Sequence, residues 1–280
     1  MRYVRQALPL LPFLAVVLVF LVIPTGTVIV NAFVVDGRFS LELIGALFTE
    51  APLVALGRSV ALSASSALLG GLLGAVLAWL ILSSPPTSLL RRAVLSLASV
   101  LAQFGGVALA FAFLATIGLN GVLTLWLQQL FGVNVAVGGW LYSLGGLVLV
   151  YTYFQIPLMV IVFLPALEGL RTQWREAAVS LGASDWQYWR EVALPLLTPP
   201  FLGSLLLLFA NAFAAYATAA ALVSQGSPIV PLLIRSALTS EVVLGRSGLA
   251  YALALEMIVV VAVVMLAYNL LVRRTARWLR

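Results

Sequence analysis

The side chains able to do chemistry in this sequence are selectively chosen and unevenly placed. Its 280 residues hold nine carboxylates and fifteen basic residues, every one of the latter Arg, with no His, no Cys and no Lys. Without imidazole, thiol or amine, the usual bases, nucleophiles and disulfides are missing, and so are most transition-metal sites. A Walker-type phosphate loop is excluded as well, because its Lys contacts the nucleotide phosphates. The chain therefore does not hydrolyse ATP by itself, and no catalytic, cofactor-binding or metal-binding residues are assigned. What remains is carboxylate and guanidinium. The notable run is REAAVSLGASDWQYWREVALP, residues 175–195, where Arg175, Glu176, Asp185, Arg190 and Glu191 crowd into an otherwise apolar chain.

The elements that position these charges can be read from local signals. Residues 168–181 are rich in helix formers and place Leu170, Trp174, Ala177, Ala178 and Leu181 as the apolar set. Gly182 ends that helix, since Gly tolerates the left-handed conformation that a helix C-terminus commonly needs. Ser184 opens a second helix as N-cap, with Gln187 completing a capping box and Asp185 at the positive end of the dipole. Pro195, Pro199 and Pro200 are expected to stop it and turn the chain away. The product is a two-helix knob. The small Ala177 and Ala178 admit a partner surface close to the backbone, and the charges on the other face fix its orientation.

Around this knob the chain is a membrane protein. It is 63% apolar and 9% charged, with a mean hydropathy of +1.15, whereas roughly a quarter of the residues of soluble domains are charged. The net charge of +6 does not mark a nucleic-acid binder, because the arginines are scattered between apolar runs instead of forming a stripe. Runs long enough to cross a bilayer fall at about 9–33, 57–82, 93–117, 141–166, 201–223 and 249–272, leaving 167–200 as the longest inner loop. The first run follows the basic start Met1-Arg2-Tyr3-Val4-Arg5 and is too long for a signal core, so a retained anchor is expected.

Both termini are expected in the cytoplasm. That orientation puts eleven arginines inside (Arg2, Arg5, Arg91, Arg92, Arg171, Arg175, Arg190, Arg273, Arg274, Arg277, Arg280) and four outside (Arg38, Arg58, Arg235, Arg246). Ser83-Ser84-Pro85-Pro86-Thr87 reads as a tight cytoplasmic turn. Between 118 and 140, Leu123, Trp126, Leu127, Leu130 and Phe131 recur at helical spacing after Asn120-Gly121 and predict a short helix at the outer face.

The motif in the inner loop resembles a known family. Glu176-Ala177-Ala178, three residues, Gly182, nine residues, Val192, one residue, Leu194-Pro195 is similar to the EAA signature of bacterial ABC importer permeases, with Val192 where the signature has Ile. More weakly, Pro24, Phe39-Ser40-Leu41-Glu42 and the run from Phe209 to Thr218 resemble the spermidine/putrescine-type permeases and, more broadly, the group of iron, thiamine and phosphonate importers. The resemblance implies an all-α integral membrane fold of six transmembrane helices in one permease domain, with a cytoplasmic coupling hairpin, as in type I importers. It implies that Glu176, Ala177, Ala178, Gly182, Val192, Leu194 and Pro195 couple the chain to ATPase subunits. The partners implied are a second permease, related or identical, two ATP-binding ATPase subunits that use ATP and Mg, and an extracytoplasmic solute-binding protein. It implies a bacterial inner-membrane location, and a polyamine-like small cation as cargo, with sugar, phosphonate, iron or thiamine as alternatives.

Residues for a substrate path come from the cost of burying polar groups in lipid. Asn211, Tyr216 and Thr218 in the fifth run, Gln103 in the third, and Tyr151, Tyr153 and Gln155 in the fourth are polar; Asn211 and Thr218, seven apart, are expected near one helical face. Asn211, Tyr216 and Glu256 are taken as path candidates. Glu256 is the only carboxylate within an apolar run, and it would either attract a cation or pair with Arg235 or Arg246. An ion-gradient-driven secondary transporter is the rival from another class. It would call for inverted repeats and intramembrane acids, of which the sequence offers one doubtful acid.

Overall fold

The computed structural model describes residues 11–85, 87–223, 229–239 and 247–276, with the side chains of 247 and 271–276 excepted. The basic start Met1–Arg5, together with Arg246, Arg277 and Arg280, lies outside the described residues. The described chain is nearly all helical, and six helical stretches are long and apolar enough to cross a membrane: Leu11–Asn31, Glu50–Leu82, Gly106–Phe131, Leu144–Glu168, Asp185–Ala214 and Gly248–Leu270. It divides into two compact units, residues 1–56 with 229–260 and residues 57–228 with 261–280.

The first unit begins with helix α1 (Leu11–Asn31), of whose apolar window no residue is buried within the chain. Pro24 sits inside α1 without ending it. A π turn over Leu18–Val22 precedes it, and the Ile23 N–H reaches back to the Leu18 carbonyl. The longer loop absorbs the hydrogen bond that a proline cannot donate. A small hairpin follows, β1 (Val34–Val35) paired antiparallel with β2 (Arg38–Phe39). Its turn is Asp36-Gly37, both at positive φ, 49° and 77°, as a two-residue loop of matching twist requires. Phe33 and Phe39 stack at 6.0 Å. Helix α2 (Glu42–Ala46) and the first turns of α3 (Glu50–Leu82) then pack with α11 (Val230–Thr239) and the first half of α12 (Ser247–Ala276) around Leu47, Ala55, Val230, Ala252 and Leu253.

The second unit is built on α7 (Leu144–Glu168), whose buried face includes Tyr151, Gln155, Met159, Phe163 and Leu167. Ser143 caps it by accepting from the Gly146 N–H. Helix α3 approaches α7 through glycines. A methyl on Gly74 would lie 2.5 Å from the Met159 Cβ and 2.6 Å from the Ile156 carbonyl oxygen, and one on Gly70 would collide with Gln155. In lipid, where no hydrophobic force draws helices together, such close backbone approach supplies the van der Waals contact. Helix α4 (Leu89–Gln103) lays Val94, Leu95 and Ala98 on the same core. The remaining elements are α5 (Gly106–Ile117), α6 (Val122–Phe131), α8 (Thr172–Ser180), the long helix α9 (Asp185–Ala214), the short α10 (Ala217–Leu222) and the end of α12. The ring of Tyr268 in α12 fills the space over Gly203, where a Cβ would meet it at 2.8 Å.

Three expectations change. The apolar run 93–117 is not one span. It is cut at Phe104-Gly105 into α4 and α5, because Gly106 adopts φ +70° and the helix cannot continue through that conformation. The fifth run is likewise interrupted, at Ala215-Tyr216, between α9 and α10. Third, the prolines do not stop the second hairpin helix. A π turn over Trp189–Ala193 lets the Leu194 N–H bond the Trp189 carbonyl, the same device as before Pro24, and the helix runs on past Pro195, Pro199 and Pro200 into the membrane-spanning segment. A helix forms after Asn120-Gly121 as expected, α6 with Gly121 at its N-cap, but with α5 it makes up the apolar stretch Gly106–Phe131 that is long enough to cross a membrane. Trp126, Leu130 and Phe131 remain exposed, and Thr124 is the side chain turned inward.

Candidate functional site

Helix α8 ends as its sequence dictates. The Gly182 N–H bonds the Val179 carbonyl at 2.9 Å and the Ala183 N–H bonds the Ala178 carbonyl at 3.0 Å, with Gly182 at φ +84°. This pair of bonds with a left-handed glycine is the Schellman arrangement. One residue later the capping box closes in both directions. The Gln187 N–H donates to Ser184 Oγ at 3.3 Å, and the Ser184 N–H donates to Gln187 Oε1 at 2.8 Å. Between the two helices Arg175 Nη2 meets Asp185 Oδ1 at 2.9 Å. Both side chains are exposed, so the pair sets orientation more than stability.

This hairpin has little beneath its tip. Val179, Leu181 and Trp186 are 56%, 88% and 70% exposed, an apolar surface surrounded by charge. Glu176, Ala177, Gly182 and Pro195 are exposed and Ala178 and Val192 half-buried, so most of the motif faces outward. Leu194 is exposed too and lies at the edge of an apolar cleft of about 310 Å³ that it lines with Ala75, Trp79, Phe163, Trp189 and Phe201. Arg171 lies over the Trp174 ring at 5.9 Å. At the root of the hairpin Arg91 pairs with Glu168, the last residue of α7, a contact that sequence spacing does not reveal.

A second cluster lies within the membrane-spanning part of the same unit, where the two interrupted helices meet. Thr218 Oγ1 donates to the Gly106 carbonyl at 3.2 Å, and Ala217 packs over Gly106. The Tyr151 hydroxyl donates to the Ala215 carbonyl at 2.7 Å, satisfying backbone that the break leaves without a helical partner. Gln155, fully buried, donates through Nε2 to the Leu208 carbonyl at 2.9 Å, while its Oε1 has no partner among the described residues. Tyr153 stacks edge-on against Phe113 at 5.6 Å.

Asn211 is exposed and Thr218 buried. The break at 215–216 destroys the helical register that would have placed them on one face. Tyr216 sits half-buried at the break itself, and Gln103 ends α4. In the first unit, Glu256 is half-buried on α12 with Oε2 unpartnered among the described residues, and the exposed Arg235 makes no ion pair with it. The signal for the break between α4 and α5 was present as Gly105-Gly106 inside an apolar run. Nothing local announced the break at Ala215.

The arrangement contains no group of three or more His, Cys, Asp or Glu able to hold a metal among the described residues. It offers a docking knob and a polar seam between broken helices. Residues 70–277 match the family described as Binding-protein-dependent transport system inner membrane component. The chain belongs to that family. This inner-membrane permease component is 28% identical over 126 residues to the thiamine transport system permease protein of Haemophilus influenzae, covering 45% of this chain and 23% of that protein. It is 35% identical over 98 residues to the sulfate transport system permease protein CysT of Escherichia coli, covering 32% and 35%. It is 30% identical over 153 residues to the molybdenum transport system permease protein ModB of Escherichia coli, covering 54% and 63%. These matches thus span 23% to 63% of the relatives' own lengths.

Among solved structures, a bacterial ABC transporter involved in the import of the acidic polysaccharide alginate superposes with a TM-score of 0.78 at 20% identity. It covers 98% of this chain and 96% of that one. The MetNI methionine ABC transporter superposes at 0.55 and 16%, covering 81% and 99%. The permease fold is shared with both.

Proposed function

We propose that this permease forms the translocation path of an ATP-binding-cassette importer and receives the force of ATP hydrolysis through the hairpin at 172–195. The observation that carries this reading is the tip: an exposed apolar surface of Val179, Leu181 and Trp186, held by a Schellman glycine and a closed capping box. Three exposed apolar side chains together at the end of a locally tied two-helix element suit a partner that takes a helix into a groove. The partner is an ATPase subunit, which supplies ATP and Mg; two such subunits serve a pair of permeases, identical or related. A binding protein delivers cargo from the far side, and both termini are cytoplasmic. Closure of the ATPase pair shifts the permeases between inward-facing and outward-facing states, through the difference in affinity of the partners for the two states. Ala177, Ala178 and Gly182 admit the groove wall, Glu176 orients it, and Val192, Leu194 and Pro195 carry the motion into α9.

For the cargo, the polyamine-type pattern and Glu256, whose Oε2 has no partner among the described residues, favour a small cation. Asn211 and Tyr216 line the route beside the helix breaks. None of the relatives named above is a polyamine permease, and two of them name sulfate and molybdenum, which favours an oxyanion as the second reading. Calorimetry of the companion binding protein with spermidine, thiamine, sulfate and molybdate separates the two. In the cation reading Glu256→Gln lowers uptake at least tenfold, and unchanged uptake excludes it. Glu176→Lys at wild-type abundance should abolish uptake driven by ATP; full uptake in that variant contradicts the coupling role.

A further inference from the structure

We infer that the Arg91–Glu168 ion pair is a positioning device that ties the root of the hairpin to α4, making α4 the link to the paired helix breaks. The inference rests on the coupling role proposed above. Arg91 is the one charged residue in the buried class among those described, at 9% exposure. Its guanidinium donates to Glu168 Oε1 and, at 3.4 Å, to the Ser84 carbonyl. It thereby gathers the turn after α3, the first turn of α4 and the end of α7. The adjacent Arg92 is a built-in contrast: exposed, its guanidinium donates to the Thr87 carbonyl at 3.3 Å and makes no ion pair among the described residues.

Glu168 is the last residue of α7, where the helix dipole opposes a negative charge. An acid there calls for a fixed cation, and Arg91 supplies it. Four residues further on, α8 begins at Thr172, so whatever holds Glu168 holds the base of the hairpin. From Arg91 the helix α4 runs on to Gln103, a length of roughly 20 Å. It packs along α7 through Val94, Leu95 and Ala98 and finishes at the Phe104-Gly105 break, beside Gly106 and its bond from Thr218. A displacement of the hairpin root therefore has a rigid element to travel along, and two interrupted helices at its far end to rearrange. Such an element needs two positions that both sites bias, and the breaks provide the hinge.

The chain has no native cysteine, so spin labels can be placed at will. Labels at Val100 and Leu181, both exposed, read the distance from α4 to the hairpin tip in the full permease pair. Wild type and Arg92→Gln should give a narrow distribution. Arg91→Gln and Glu168→Gln should at least double its width, and the swap Arg91→Glu with Glu168→Arg should restore it. An unchanged width in Arg91→Gln overturns the proposal. If Arg91→Gln does not accumulate, Arg91→Lys and the swap carry the same comparison.

A purely structural pair would leave a second readout unmoved. In the complex with its ATPase, maleimide labelling of Tyr216→Cys should change at least fivefold between nucleotide-free and ATP–vanadate states. Arg91→Gln should lose that dependence while retaining the ATPase, and persistence of the dependence contradicts the link. Failure of the ATPase to co-purify with the wild-type permease defeats the coupling reading instead, and the spin-label widths still decide whether the pair holds the root.

Discussion

The hairpin at 172–193 and the seam around Gly106 and Ala215 are both places where one helix ends and another begins, but they are held in opposite ways. In the hairpin the hydrogen bonds and the ion pair that set its shape are local. Gly182 closes on Val179 and Ala183 on Ala178, Ser184 and Gln187 cap each other, and Arg175 reaches Asp185 ten residues on. At the seam the side-chain hydrogen bonds that join the broken helices are distant in sequence. Tyr151 bonds Ala215 across 64 residues, Thr218 bonds Gly106 across 112, and Gln155 bonds Leu208 across 53. A locally tied element can be exposed and still keep its shape, which suits a surface gripped by another protein. A seam whose two broken helices are joined by tertiary contacts keeps its shape while its neighbours keep theirs, which suits a region that rearranges when they move.

That contrast predicts which substitutions damage the fold and which damage only the coupling. The largest effect is expected at the glycine seam that supports α7. Gly74→Val places a branched side chain where even a methyl lies 2.6 Å from the Ile156 carbonyl oxygen. Overpacking of this kind costs about 1–3 kcal/mol or more, so detergent-solubilised yield should fall severalfold and the melting temperature by several degrees; wild-type values would mean that α3 and α7 are not in close contact. Next comes Gly182→Val. A β-branched residue at φ +84° is a strong outlier, and ATP-driven uptake should drop at least tenfold while the melting temperature, set by the membrane-spanning core, moves by less than about 2 °C. A large fall in melting temperature with normal uptake would reverse the comparison.

Tyr151→Phe leaves the Ala215 carbonyl without its donor, a loss of about 1 kcal/mol, visible as faster hydrogen exchange at 215–218. Exchange rates equal to wild type would show that the hydroxyl does not hold the break. The smallest effect is expected for Ser184→Ala. Loss of an N-cap costs about 1 kcal/mol, here confined to the start of α9, so exchange should quicken at 185–188 alone.

The same division explains what the sequence made legible. The glycine stop, the capping box and the helix after Asn120-Gly121 rest on neighbours within a few positions, and these appear at the expected residues. The Asp36-Gly37 hairpin is equally local and could have been read from its turn pair. The prolines misled, because a π turn of five residues ahead of Pro24 and of Pro195 absorbs the missing donor, and whether a helix adopts that turn depends on what surrounds it. The break at Ala215 has no turn residue to announce it, and the Arg91–Glu168 contact joins residues 77 apart. Asn211 and Thr218 were placed on one face only on the assumption of an unbroken helix.

The central claim is that the tip of the hairpin is the surface an ATPase subunit grips. Because the chain is free of cysteine, a single Leu181→Cys permease can carry one short thiol-to-amine cross-linker in intact membranes that contain the whole transporter, with Val122→Cys, 74% exposed on α6, as the control. The account predicts that mass spectrometry finds the ATPase subunit joined to position 181 and absent from position 122. Equal capture at the two positions, or none at 181 in a transporter that still imports, would contradict it.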